Sequence, residues 1–379
     1  MRVRSVLVVG GGIAGSTCAY FLARNGISTT VVERAGGQRS SGSPVDVRGP
    51  ALAVVEQMAA LEPIRAAATR ARRLAAVDRN GREIGWIPTQ ASRDAVEISR
   101  GDLAAILVSV AGQHADFLYE ESVTALRQDD GGVEVTFQEA ESRRFDVVIG
   151  ADGLHSTVRR LAFGPEEHFV THLGLYFGSV ALARPSADPQ TVLIHNAPGR
   201  AVVVHPVTGE EGAGFMFWHP ELPDDRRRDV ATQKQLVSRA YRDLRWRVPE
   251  LLDRFRDSDE IYFDSVCRVE LDCWSRGRTV LVGDAATTVS LFGEGSSMAI
   301  AGAATLAQAV AHEPTDIPGA LRRYEQVHRS RLRRHHRGAS AAAHLLVPQT
   351  RAGLMARDAV FRTYAAGAAT SRRIRRSTI

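Results

Sequence analysis

Lysine is almost absent from this chain: Lys234 is the only one, so nearly all of the basic charge is arginine. With alanine also abundant, this reads as the base composition of a GC-rich genome rather than a built polyanion site. The arginine clusters at 321–338 and 371–376 mix with Tyr324, Glu325 and apolar residues in the first case, which reads as a solvated amphipathic helix. No nucleic-acid partner is expected. Three cysteines, Cys18, Cys267 and Cys273, fit no metal spacing, and their odd number argues against a disulfide framework. They read as reduced thiols of a cytoplasmic protein. No run approaches the roughly 18 consecutive apolar residues of a membrane-spanning helix. Arg2 and Arg4 precede an apolar run, but it reaches its glycines too soon for a secretion signal. No membrane, metal ion or hydrolytic triad is called for, and neither internal repeats nor low-complexity linkers occur.

What is present is globular. The 379 residues are 44% hydrophobic and 24% charged, with a formal net charge of +5, enough for two domains. "SVLVVG" (5–10) is a buried parallel strand, "AGSTCAYFLARNG" (14–26) a helix closed by Gly26, and "STTVVER" (28–34) a second strand, which together form one βαβ unit. Residues 98–112 read as a helix opened by Ser99 and closed by Gly112, and Gly131-Gly132 turns a hairpin before "FDVVIGADG" returns a strand to the core. Residues 165–275 alternate like antiparallel strands, interrupted by a charged helical stretch at 221–256. A helix follows at 297–312, then more helices and a basic, frayed tail.

The expected fold is therefore α/β: a Rossmann-like nucleotide domain interleaved with a β-sheet substrate domain, and helices at the C-terminal end. The expected divisions are 1–75, 98–165 and 276–315 for the nucleotide domain, 76–97 and 166–275 for the substrate sheet, and 316–379 for the helices and tail.

Three motifs carry chemistry. The first is Gly10-x-Gly12-x-x-Gly15, between a strand and a helix, with Ala14 inside it and Glu33 closing the next strand. Gly10 permits a tight turn, Gly12 admits a pyrophosphate, and Gly15 lets helix and strand pack closely. The helix N-terminus offers unpaired N–H groups to the phosphates. Glu33 suits an adenosine ribose and disfavours a 2′-phosphate, so FAD or NAD is expected here rather than NADP. The second motif is "DVVIGADGLHSTVRR", with Asp152, Gly153, Ser156 and Arg159; the third is Gly283-Asp284 in "VGDAATTVSLFGEGSS".

In that order and spacing the three resemble the FAD-dependent aromatic hydroxylases, the group A flavoprotein monooxygenases of para-hydroxybenzoate-hydroxylase type, over residues 3–340. "GSPVDVRG" (42–49) is similar to a loop of the tetracycline-inactivating and polyketide-tailoring members. The resemblance implies that Glu33 binds the adenosine ribose, Arg34 flanks the adenine, and Arg100 lies along the ribityl-phosphate side. Asp284 would bind the ribityl hydroxyls, Asp152 would organise the cofactor and the entry of NADPH or NADH, and Asp46 and Arg48 would contact the flavin ring. A helix beginning near Ser296 would aim its positive end at the reduced ring, with N–H groups of Gly295 and Ser296 as donors and Gly293 and Ser297 small enough for close approach.

The activity implied is hydroxylation of an aromatic or polyketide-like small molecule by O2 through a flavin C4a-hydroperoxide. The chemistry is centred on the flavin and needs no catalytic side chain. Epoxidation or Baeyer–Villiger insertion by the same intermediate, or a flavin-binding accessory role, are the alternatives. The chain departs from its relatives where Thr287 replaces a common histidine, and where Ser290, Leu291 and Phe292 stand near a usual proline. No second GxGxxG unit supports a disulfide-reductase type, and "GWIPT" (85–89) lacks the paired tryptophans of the flavin halogenases. His205, Phe215, Phe217 and Phe292 are the candidates for substrate contact, the first three because alternate residues of a strand can floor a pocket. The chain stops short of the extra domain that larger relatives carry, so a monomer or weak homodimer is expected.

Overall fold

The computed structural model describes residues 2–37, 43–89, 95–207, 209–223, 226–227, 229–288, 294–333 and 344–377. The chain opens with β1 (Ser5–Val9), α1 (Ile13–Arg24) and β2 (Ser28–Glu33), the expected βαβ unit. A short strand β3 (Pro44–Arg48) leads to α2 (Pro50–Gln57) and α3 (Leu61–Ala66), then to β4 (Arg73–Val77) and β5 (Glu83–Pro88). β6 (Ala95–Ser99) runs into α4 (Arg100–Ala111), whose first turn is capped by the Ser99 hydroxyl accepting from Asp102 N. Strands β7 (Asp116–Tyr119), β8 (Val123–Asp129), β9 (Gly132–Phe137), β10 (Arg143–Phe145) and β11 (Val147–Gly150) follow, β8 and β9 being the expected hairpin.

After α5 (Thr157–Ala162) come β12 (Val170–Ala181), β13 (Thr191–Ala197), β14 (Arg200–Val207) and β15 (Glu210–Trp218). Helices α6 (Val230–Tyr241) and α7 (Val248–Asp257) occupy the charged stretch. β16 (Tyr262–Val269), β17 (Ser275–Arg276) and β18 (Thr279–Leu281) lead to the long helices α8 (Glu294–His312), α9 (Ile317–Leu332) and α10 (Arg351–Ser377). The basic end is therefore helical through Ser377, where the sequence pointed to a frayed tail. No helix among the described residues is long and apolar enough to cross a membrane.

The strands form two large sheets. The first has the order β17-β18-β11-β1-β2-β7, parallel except for β17. Its central strands are buried on both faces, as Leu7, Val8, Val31 and Val148 show with at most 0% exposure. Each such side chain contributes about 1.5–3 kcal/mol. Helices α1 and α8 pack against each other on this sheet.

The second sheet has the order β16-β12-β15-β14-β13-β4-β5 and is antiparallel apart from the β13–β4 pair. One of its faces is covered by α6 and α7 through Phe215, Phe217, Val237, Tyr241, Leu251 and Phe255. The segment 95–99 does not join this sheet; it pairs with β3 as a separate two-stranded ribbon.

Registers in the parallel sheet decide where a ligand can lie. Val9 is opposite both Gly150 and Val32, and Gly150 is opposite Leu281. Four strands thus end level with one another. The residues that follow, Gly10, Ala151-Asp152, Glu33 and Gly283-Asp284, emerge side by side at one carboxyl edge. In open parallel sheets that edge is where ligands bind.

Candidate functional site

The glycine loop is dictated by close backbone approach. Gly10 has φ 105°, and a Cβ there would sit 2.5 Å from Ala151 O. A Cβ on Gly15 would lie 1.8 Å from Gly10 O, so only glycine lets α1 start this close to β1. Gly12 differs: its φ of −78° is ordinary, and a Cβ would meet nothing within 4 Å. The space beside Gly12 is open, next to the α1 first turn, where N–H groups have no acceptor within the helix. That cradle fits a pyrophosphate. The Glu33 carboxylate is held by Gly11 N and Ala35 N, both at 2.9 Å, which fixes it at the mouth of the same loop. Arg34 beside it is exposed.

The Gly-Asp turn meets this loop directly. Gly283 has φ 64°, and a Cβ on it would come within 2.9 Å of the Ala14 methyl. Ala14 is thus the packing contact that joins two motifs about 270 residues apart in sequence. Asp284 lies next, with Oδ2 4.0 Å from the Arg100 guanidinium. It keeps 34% of its side-chain surface open, but at the bottom of a recess. Burial there pushes its carboxyl up, Arg100 offsets part of this, and Asp264 adds to it. A carboxylate so placed is an acceptor in search of hydroxyl donors.

Ser297, fully buried in the α8 first turn, ties a third element in. Its hydroxyl donates to Asp46 O at 2.7 Å and accepts from Arg48 N at 3.0 Å. The structure therefore brings Asp46, Arg48 and Ser297 together, with the serine hydroxyl spent on pinning β3 to α8. The Asp46 side chain is opposite Glu97 across the ribbon. Burial raises both carboxyls; Arg48 opposes it at Asp46, and the Thr69 hydroxyl at Glu97. Gly295 and Ser296 stand in the α8 first turn, half-buried and buried respectively. Gly293 and Phe292 lie outside the described residues, as do Ser290 and Leu291.

The Asp-Gly motif acts through its backbone. The Asp152 carboxylate accepts from the Ser156 hydroxyl, from Thr157 N at 2.6 Å and from Val158 N at 3.1 Å, so it caps α5. Burial raises its pKa, and these donors oppose the rise. Arg159, fully buried, donates to Ala285 O at 3.1 Å and Leu154 O at 2.6 Å, and pairs with Glu166 at 3.3 Å. It clamps the Asp-Gly loop onto the Gly-Asp turn. The same loop reaches the second sheet: His155 bridges Glu166 (2.9 Å) and Asp264 (3.2 Å), with Arg227 against its ring. Burial alone would lower the His155 pKa, but the two carboxylates outweigh it and raise it.

Two of the expected substrate contacts are displaced by strand parity. Phe215 and Phe217, 0% and 2% exposed, point to the helix-covered face. Phe215 packs edge-on against Tyr241 at 5.2 Å and Phe255 at 5.3 Å, so both rings are core. Residues of the opposite parity face the cofactor groove. Phe177 is opposite Met216 and Asp264, and Ser179 is opposite Tyr262, which places these side chains on one face. The Tyr262 phenol is raised by burial and feels the charges of Asp264, Arg100 and Asp284. Tyr262, Asp264 and Phe177 were not singled out from sequence. The signal was the alternation itself, read in the wrong phase.

His205 shares that second face but is only 4% exposed, its ring lying over Gly212. Burial pushes the imidazoles of His205 and His328 down to about 4. An unfolded histidine takes up its proton near pH 6.5, so folded-state stability is lost as pH falls below that toward 4. Between pH 6.5 and 5 each should cost about 2 kcal/mol. Thermal unfolding followed across that range should show a shallower acid loss for His205→Leu than for the parent chain. Equal slopes would mean that His205 is not buried neutral.

Comparison with known proteins agrees with this geometry. The FAD binding domain family matches residues 4–337. A flavin-dependent monooxygenase of Legionella longbeachae is 32% identical over 332 residues, covering 86% of this chain and 85% of its own length. An uncharacterized protein of Mycobacterium tuberculosis is 38% identical over 314 residues, covering 80% and 84%. The crystal structure of the tetracycline destructase Tet(51) superposes with a TM-score of 0.83 at 29% identity, over 95% of both chains. A cradle for a pyrophosphate, a ribose-reading glutamate and a buried aspartate share one sheet edge, and homology runs through all three. The chain therefore belongs to the FAD-binding flavin-dependent monooxygenases of group A and is an oxidoreductase with FAD as its cofactor.

Proposed function

We propose that this enzyme hydroxylates an electron-rich aromatic or polyketide-like small molecule, using O2 and reducing equivalents from NADH or NADPH. The observation that carries the reading is the groove itself. The Gly12 cradle, Arg100 and Asp284 line one side of it, and the open face of the second sheet, with Phe177, Met216 and Tyr262, closes the other. Glu33 would hold the ribose and the α1 N-terminus the phosphates. Asp284 and Arg100 would hold the ribityl chain, and the α8 first turn with Gly295 and Ser296 would face the ring. Bound FAD supplies hydride acceptance and O2 activation; the protein's part is to hold it, exclude water and orient the substrate. Asp152 serves by shaping the loop that Arg159 clamps.

In this reading, segments 1–75, 98–165 and 276–315 work as the cofactor unit, and 76–97 with 166–275 as the substrate unit. The likeness to a tetracycline destructase supports a polycyclic substrate bearing phenol and enol oxygens. The unpaired cysteines support a cytoplasmic setting. We place the enzyme as a monomer or weak homodimer, which light scattering would check.

An absorbance scan of the purified protein should show bound flavin. NAD(P)H oxidation under air should accelerate with one of a panel of polycyclic phenols, starting with a tetracycline. Product formed under 18O2 should carry the label. Flavin-free protein that takes up no FAD, or NAD(P)H oxidation without labelled product from any phenol, would sink the reading.

A further inference from the structure

β16 is the outer strand of the second sheet, paired with β12 on one side only. An edge strand turns alternate N–H and C=O groups away from the sheet, and these need partners elsewhere. At two such positions a single side chain supplies both. Thr288 Oγ1 accepts from Val269 N at 3.0 Å and donates to Cys267 O at 2.7 Å. Cys267 and Val269 are two residues apart, so both groups face the same way. The neighbouring Glu270 N turns inward instead, to Phe169 O at 2.9 Å. Thr288 stands four residues after Asp284, on the exit of the Gly-Asp turn. β16 carries Tyr262 and Asp264 at its other end. One hydroxyl therefore fastens the turn that holds the cofactor to the strand that faces the groove.

We propose that Thr288 is a positioning residue that sets the spacing between the FAD-holding turn and the substrate-facing sheet. The inference rests on the reading that FAD lies along Asp284. Both halves of the hydroxyl's capacity are used, which is the reason for a hydroxyl residue here. Valine has the same shape and can do neither job, leaving Val269 N and Cys267 O without this partner. Serine can do both. Because Asp284 is held on the same turn, loosening the fastening should reach the cofactor even though Thr288 is bonded only to protein.

The test is titration of the full-length apoprotein with FAD, reading Kd and the position of the flavin's visible band, with thermal unfolding alongside. Thr288→Val should bind FAD ~10-fold more weakly, as expected for two lost hydrogen bonds, and shift the bound band. Thr288→Ser should restore both values. A role confined to stability would lower Tm in Thr288→Val while leaving Kd and band unchanged, and that result would overturn the proposal. Thr288→Ala, which puts no methyl groups against the orphaned amide, replaces the valine variant if the latter does not fold. Parent protein that takes up no FAD at all would instead fail the cofactor reading on which the proposal stands.

Discussion

Asp284→Ala is expected to give a folded protein that binds FAD about 100-fold or more weakly than the parent chain, because a buried acceptor is removed. Hydrogen bonds to a charged group are worth about 1.5–3 kcal/mol each, and a carboxylate at a polyol can take two. The fold has already met the cost of burying Asp284, as its raised pKa shows, with Arg100 4.0 Å away as partial compensation. A ligand that brings hydroxyls recovers what burial took. Asp284→Asn, which keeps one acceptor and loses the charge, should fall between. The check is an FAD titration with far-UV circular dichroism to confirm the fold. An Asp284→Ala protein that binds FAD within ~3-fold of the parent would show that two such bonds are not made here.

Gly15→Ala should be the most damaging single methyl in the chain. Its Cβ would fall 1.8 Å from Gly10 O, and the obstruction is backbone with no side chain to swing away. Helix α1 would have to lift off β1, at a cost of about 3 kcal/mol or more, and its N-terminus would leave the cradle. Tm should drop and FAD binding should be lost. Gly12→Ala is the informative companion. Nothing lies within 4 Å of that Cβ, so the protein should fold with an unchanged Tm. The methyl would occupy the open space beside the helix N-terminus, so FAD affinity should still fall about 10-fold or more, the scale of one lost charge-assisted hydrogen bond. The same substitution three residues apart should thus separate a packing glycine from a ligand glycine. Gly12→Ala with parental FAD affinity would mean that the pyrophosphate lies elsewhere.

Local chemistry made much of the fold legible. A glycine that must adopt φ 105°, a strand of buried β-branched residues and a serine that caps α4 each act within a few residues of themselves. Their patterns therefore survive in one dimension. The substrate face was less legible because its information is a parity. In β15, Phe215 and Met216 differ by one residue and lie on opposite sides of the sheet. Both are apolar, and apolar residues occupy both faces, since one packs on α6 and α7 while the other meets the groove. Composition cannot choose between them. The serine at 297 shows the same limit: a small residue at a helix start suggests room for a ligand, while its hydroxyl is used to hold Asp46 and Arg48.

By itself, the sequence determined that there is one dinucleotide cradle with its ribose-reading acid, that a second glycine–aspartate turn exists, and that a β-rich stretch separates them. Each of these follows from steric and hydrogen-bonding demands between near neighbours in the chain. That the two loops are one site was decided only by the parallel sheet. Its registers end β1, β2, β11 and β18 level with one another, and the Ala14 methyl then meets Gly283. The phase of the substrate face and the hydroxyl of Thr288 across to β16 were likewise settled there. Strand order and side-chain contact across hundreds of residues are properties of packing, and no local pattern encodes them.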